Sequence, residues 1–307
     1  MNKLVIICGP TAVGKTKFAI ETARDLRGEI VNCDSMQIYK RMDIGSAKPT
    51  ADERAAVRHH LVDFVDPREK YSAAMYQKAA LAAIDDIRDR GKIPILSGGT
   101  TLYIDSVIYD MDFSASPEHS ELRAKLYRIA QEDGVDALHE KLKKTDPDAA
   151  VRIHPNNIKK VVRAIEAASL GSPVKDYAER KPRKGIHPLI IGLRRERDEL
   201  YARIDRRVDS LMEAGLVNEV CSLLAYGLDK EAIAMKGIGY KEVIAYLNGE
   251  YDISEAIRLI KRNTRHFAKR QMTRLRGYDT INWFDISDDD DAWMEEALDW
   301  LRQQIKN

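Results

Sequence analysis

Residues Gly9 to Thr16 read GPTAVGKT. Glycines bracket a short variable run, and a lysine and a hydroxyl residue follow. That is the spacing of a loop whose backbone amides wrap phosphate oxygens. Gly9, Pro10, Thr11, Ala12, Val13 and Gly14 form the loop itself. Lys15 is placed to reach terminal phosphates, and the Thr16 hydroxyl is placed to bind magnesium. Before the loop lies an apolar run, KLVIIC; after it, KTKFAIETARDL has the amphipathic period of a helix. Strand, loop and helix in this order predict an α/β protein with a P-loop NTPase-like parallel sheet. The loop alone does not say whether it holds a nucleotide whose phosphate is moved or some other diphosphate.

Working outward, EIVNCDS (Glu29 to Ser35), KIPILSGGT (Lys92 to Thr100) and HPLIIGL (His187 to Leu193) read as three more strands. Short apolar strands alternating with helical patterns imply a parallel sheet covered on both faces. Between the last two the texture changes to helical patterns alone, such as HPNNIKKVVRAIEAASLG, broken by Pro and Gly. The expected organisation is a P-loop α/β core with C-terminal helices, residues 1–112 and 186–307, interrupted by an inserted helical lobe over 113–185. SDDDDAW, Ser287 to Trp293, reads as a solvated turn before the last helix.

Composition narrows the classes. The 307 residues are 44% hydrophobic and 32% charged, with a net charge of +1, so any nucleic-acid signal must be local. Cys8, Cys33 and Cys221 have neither paired nor zinc-type spacing, and no apolar run is long enough for a membrane span. A reducing, cytoplasmic setting without a membrane partner is the expectation. Local basic stretches exist in IKKVVR, with Lys159, Lys160 and Arg163, and in RLIKRNTRHFAKRQMTRLRG.

Asp34 follows the second strand, on the edge where open α/β sheets meet ligands. Ser35, Gln37 and Tyr39 come next, a set able to hydrogen-bond and stack on a base. In GGTTLYI the glycines permit close backbone approach beside Thr100. Asp63 is a candidate for the magnesium side of the loop. The adjacent pair His59 and His60 points apart on most backbones and reads as structural. A guanine-reading Asn-Lys-x-Asp is absent.

Taken in order, GPTAVGKT, DSMQIYKRMDIGSAKP, HHLVDFVDP, GGTTLYI, IGYKE and AKRQMTR resemble the bacterial tRNA dimethylallyltransferases, from Lys3 to about Trp283. Asn157 and Lys160 depart from the usual Asp and Arg, and Lys236-Gly237 from bulkier residues. The resemblance implies that a dimethylallyl group passes from dimethylallyl diphosphate to the exocyclic amine of the adenine just 3′ of the anticodon. It implies a general base in Asp34, Thr11 on the bridging oxygen of the diphosphate, and Arg207 as a second grip beside Lys15. The extruded adenine would meet Asp34, Ser35, Met36 and Gln37, with Thr100 opposite. The anticodon stem-loop would meet Arg123 and the run Lys159, Lys160, Val161, Val162 and Arg163. Magnesium is the implied cofactor and a monomer the implied state. A P-loop kinase, a prenyltransferase of free adenine nucleotides and a non-catalytic RNA-binding protein stay open as rivals.

Overall fold

A computed structural model describes residues 2–111, 113, 120–171, 181–287 and 291–306. Residues 288–290 of the acidic cluster, and 114–119 and 172–180 of the expected lobe, lie outside the described residues. The chain opens with β1 (Lys3–Cys8), α1 (Lys15–Asp25) and β2 (Gly28–Asn32). Then come α2 (Ala51–Ala56), a two-residue β3 (His59–His60), α3 (Ala73–Asp89), β4 (Ile93–Gly98) and α4 (Thr101–Ile108). Four helices follow: α5 (Ser120–Glu132), α6 (Val135–Thr145), α7 (Pro147–Arg152) and α8 (Ile158–Ser169). β5 (His187–Arg194) leads into α9 (Arg197–Glu213), α10 (Leu216–Ala225), α11 (Tyr240–Leu247) and α12 (Ile253–Leu275). β6 (Ile281–Asp285) and α13 (Ala292–Lys306) close it.

The strands form a six-stranded sheet in the order β3-β2-β4-β1-β5-β6, with every pairing parallel. β1 is central: Val5 pairs with Ile95 on one side and Leu189 on the other. After β1 the chain moves to β2 on one side, and it later crosses to β5 on the other. The carboxyl end of β1 is therefore the switch point at which open sheets form a ligand crevice. Gly9 to Thr16 begins there.

Two of the six strands were not among those the sequence predicted. β3 is short and polar, and β6 is only half-buried at the opposite edge. An edge strand needs no continuous apolar run, because one side has no neighbour. The central strands do: β1 is buried from Leu4 to Cys8, packed between helices on both faces.

The chain divides into two compact units, Met1–Ile108 with Gly185–Asn307, and Tyr109–Lys184. In the first, Val5, Ile7, Phe18, Ile95, Ile191 and Ile204 form the core around the sheet. A second cluster in the same unit joins Ile38, Tyr39 and Met42 to Val220, Tyr240 and Val243 from α10 and α11. The other unit has its own core, including Leu126, Leu138, Leu142, Val161, Val162 and Ile165.

Candidate active site

The phosphate loop is braced from three directions. α1 starts with Gly14 in the left-handed region at φ 116°, with no side-chain cap and no acidic residue in its first turn. Its leading amides are thus available to an anion. The outward carbonyls of the loop are taken by arginines from the C-terminal half: Arg203 Nε donates to Ala12 O at 3.1 Å and Arg195 Nε to Val13 O at 3.1 Å. Gln271 of α12 bridges the third side. Its Oε1 accepts from Thr11 N at 2.9 Å, and its Nε2 donates to Gly99 O at 3.0 Å. A β-carbon at Gly99 would lie 2.2 Å from Gln271 Nε2, so a larger residue there would displace the carboxamide from its bond to Gly99 O.

Loop and sheet enclose a cavity of about 390 Å³ lined by Thr11, Lys15, Thr16, Asp34, Gln37 and Arg207, among others. Lys15 Nζ donates to Gly9 O at 3.1 Å and to Pro10 O at 2.7 Å. Burial lowers its pKa from 10.5 to about 8; the charge of Asp34 opposes this and that of Arg207 adds to it. Burial likewise lowers Arg207, again opposed by Asp34. The three groups behave as one electrostatic set: two desolvated cations and one carboxylate. Arg203 and Arg206 also line the cavity, so it carries surplus positive charge.

Asp34 begins no helix. Its Oδ1 accepts from Met36 N at 2.8 Å, closing a turn, while Asn32 Oδ1 takes its backbone N–H at 3.2 Å. No further side-chain hydrogen bond of Asp34 occurs among the described residues, which leaves acceptor capacity for a ligand. Ser35 N donates to Thr100 Oγ1 at 3.0 Å, which joins the segments that follow β2 and β4. Gln37 Nε2 donates to the carbonyls of Ala47 at 3.0 Å and Ser46 at 3.4 Å.

Several expectations need correction. Met36 is half-buried and packs against the apolar cluster of α10 and α11, with its methyl group near Gly237. The half-exposed Asp63 is held by the buried ammonium of Lys48 at 2.8 Å, which ties its carboxylate to that lysine and not to the magnesium side of the loop. His60 Nε2 lies 2.7 Å from Glu29 Oε2, a buried carboxyl that its Arg90 hydrogen bond keeps far below the usual carboxylate range. His59 lines the cavity edge. Among the described residues no group of three or more His, Cys, Asp or Glu could hold a metal ion.

In the helical unit, Lys159, Lys160 and Arg163 are exposed on α8, and none makes an ion pair with a described residue. Val161 and Val162 are not surface residues. The helical period turns them inward, and both are buried in the core of that unit. Arg123 makes a bidentate pair with the buried Glu166, both bonds 2.9 Å. On α12, Lys261 pairs with Asp209 at 2.7 Å and Arg265 with Asp205 at 2.5 Å, both acids on α9. The basic run is thereby split: Arg262, His266, Lys269 and Arg270 remain exposed.

Sequence reasoning missed Gln271, Arg195 and Arg203 as parts of the cradle. AKRQMTR contained Gln271, but only the fold shows which loop it reaches.

A parallel sheet with a braced phosphate loop at its switch point, and a carboxylate facing that loop from the next strand, defines an α/β enzyme. Its cavity suits a phosphorylated substrate beside an acceptor. The family model described as IPP transferase matches residues 37–278. The tRNA dimethylallyltransferase of Alkaliphilus oremlandii is 49% identical over 94% of this chain and 93% of its own length. That of Clostridioides difficile is 44% identical over 99% and 98%. Among solved structures, the tRNA isopentenylpyrophosphate transferase of Bacillus halodurans is 41% identical, with a TM-score of 0.74 over 100% of this chain and 97% of that one. A eukaryotic dimethylallyltransferase acting on tRNA is 29% identical, with a TM-score of 0.82 over 98% and 80%. The chain belongs to the IPP transferase family. No helix among the described residues is long and apolar enough to cross a membrane.

Proposed function

We propose that this chain transfers a dimethylallyl group from dimethylallyl diphosphate to the exocyclic amine of the adenine immediately 3′ of the anticodon in tRNA. One observation carries the assignment of roles: Asp34 shares a single cavity, and a single electrostatic set, with Lys15 and Arg207.

The diphosphate lies against the loop 9–16, on the free amides at the start of α1. As the allylic C–O bond breaks, its electron pair passes to the leaving diphosphate. Lys15, Arg207 and the α1 amides stabilise that charge, both cations having already lost part of their hydration by burial. Thr11, held by Gln271, faces the bridging oxygen. The adenine amine forms the new C–N bond to the allylic carbon, and Asp34 accepts the proton it sheds. Ser35, Gln37 and Thr100 line the acceptor side.

The donors here suit magnesium. Thr16 would supply a hard hydroxyl oxygen, and the lack of a cage of acidic, His or Cys groups among the described residues fits an ion that keeps water and phosphate oxygens in its shell. When bound, it neutralises charge on the diphosphate.

The exposed cations of α8 and of α12 are the phosphate contacts for the anticodon stem-loop. Action in a reducing cytoplasm fits three cysteines that are all free. The test is incubation with labelled dimethylallyl diphosphate, magnesium and unmodified tRNA, followed by nucleoside analysis. Labelled prenyladenosine is expected. ATP consumption without it would put a kinase in its place.

A further inference from the structure

Residues 43–48 form a turn that lies behind the acceptor side of the cavity, and its amides are held in an unusual way. Glu219 of α10 directs its carboxylate at three consecutive N–H groups. Oε2 accepts from Asp43 and Ile44, each at 2.7 Å, and Oε1 accepts from Gly45 at 2.9 Å. Tyr240 of α11 donates its hydroxyl to the same Oε1 at 2.8 Å. Its ring lies so close to Gly45 that a β-carbon there would come within 2.5 Å. Within the turn, Ala47 N donates to Ile44 O at 2.8 Å and Lys48 N to Asp43 O at 3.0 Å. Hydrogen bonds from three amides to one charged acceptor hold a turn more firmly than neutral contacts do.

The far side of this turn carries the carbonyls of Ser46 and Ala47, which receive Gln37 Nε2. A carbonyl oxygen only accepts, so the NH₂ end of the Gln37 carboxamide must face the turn. Its Oε1 is the end left for the cavity that Gln37 lines. An acceptor in that position matches a ligand N–H and leaves a ligand carbonyl unpaired. We infer that Glu219 is a positioning residue: through the turn 43–48 it fixes Gln37 with its oxygen toward the acceptor base, and so selects a base bearing an exocyclic amine. This rests on the proposed activity. It adds a residue remote from both substrates and a physical basis for base choice.

The test compares anticodon stem-loops with adenosine or inosine at the acceptor position, binding to the wild type and to Glu219→Ala, Gln37→Ala and the double variant. A non-reactive thiolodiphosphate analogue of the prenyl donor occupies the loop. Inosine replaces the amine with a carbonyl, which meets Gln37 Oε1 as a second acceptor. The wild type should prefer adenosine by at least about tenfold, the penalty of an unpaired buried polar contact. In Glu219→Ala the preference should shrink to about threefold or less, with donor-analogue affinity held within about twofold. The double variant should lose no more preference than Gln37→Ala alone, because both act through one contact.

A folded Glu219→Ala that keeps the wild-type preference would overturn the inference, as would additive losses in the double variant. Should Glu219→Ala fail to fold, Tyr240→Phe removes one donor to the carboxylate and Glu219→Gln turns one acceptor into a donor facing an amide. At least one of these, melting like the wild type, should lose preference by about twofold or more; an unchanged preference in both overturns the inference. Failure of the wild type to prenylate the adenosine stem-loop is a separate result, and removes the proposed activity itself.

Discussion

Asp34 and Lys15 are the residues whose chemistry can be read most directly. Asp34→Asn keeps the shape and loses the proton acceptor, so both substrates should bind while turnover falls about 100- to 10,000-fold. Single-turnover transfer measures this; a rate within about threefold of the wild type would remove Asp34 as the base. Lys15 makes a pH prediction. Its ordinary value is 10.5, and burial brings it to about 8 in the folded chain. Below that pH the ammonium is charged and grips the diphosphate. Above it the folded chain gives up the proton, and affinity should fall by about tenfold per pH unit. The folded value lies below the unfolded one, so the stability cost of burying this charge is full below pH 8 and released as pH rises from 8 to 10.5. Calorimetric binding of the thiolodiphosphate analogue between neutral and alkaline pH should show the break in the wild type. Lys15→Arg should lack it, since a guanidinium stays charged and the ligand's own titration is common to both proteins.

Among the elements, α8 divides its residues by period: Val161 and Val162 inward, Lys159, Lys160 and Arg163 outward. Neutralising the three cations together should flatten the salt dependence of tRNA affinity, each lost phosphate contact lowering the log–log slope by about 0.7 to 0.9. Filter binding across a salt series reads this, and an unchanged slope would make them a solvated face. The same helix shows where sequence reasoning stopped. A contiguous motif suggested five consecutive contacts, whereas a helix cannot present five consecutive side chains to one partner. The central strands were legible because burial on both faces demands apolar runs, and two of them lead into residues with chemistry, β1 into Gly9 and β2 into Asp34. β3 and β6 were not, since an edge strand carries no such run. Asp34 and Thr100 could be placed near the ligand-facing edge because each follows such a strand, and Lys15 and Thr16 because they close the Gly9–Gly14 loop motif. Gln271 was not: it reaches Thr11 across 260 positions, and one glutamine in a basic helix carries no local signal. The pairing of Arg123 was not legible either, since its partner Glu166 lies 43 residues away.

At the scale of the whole molecule, two units with separate cores should respond separately to damage. Leu142→Ala opens a cavity in the helical unit, at a cost of about 2–5 kcal/mol. The expected result is a lower-melting calorimetric transition and weaker tRNA binding, with affinity for dimethylallyl diphosphate unchanged. Parallel loss of both affinities would show that the units do not fold apart. The position of β1 carries a last consequence, for biosynthesis. Val5 is among the first residues made, yet its flanking partners are Ile95 and Leu189. At roughly 5–20 residues per second, a ribosome reaches Leu189 some 10–40 s after Val5. Throughout that interval a nascent Leu-Val-Ile-Ile segment has at least one bare edge, the template on which chains aggregate. A chaperone that shields apolar extended segments is therefore needed until β5 emerges, an interval that includes translation of the helical unit. The phosphate loop, synthesised almost first, is completed only once Gln271 has emerged.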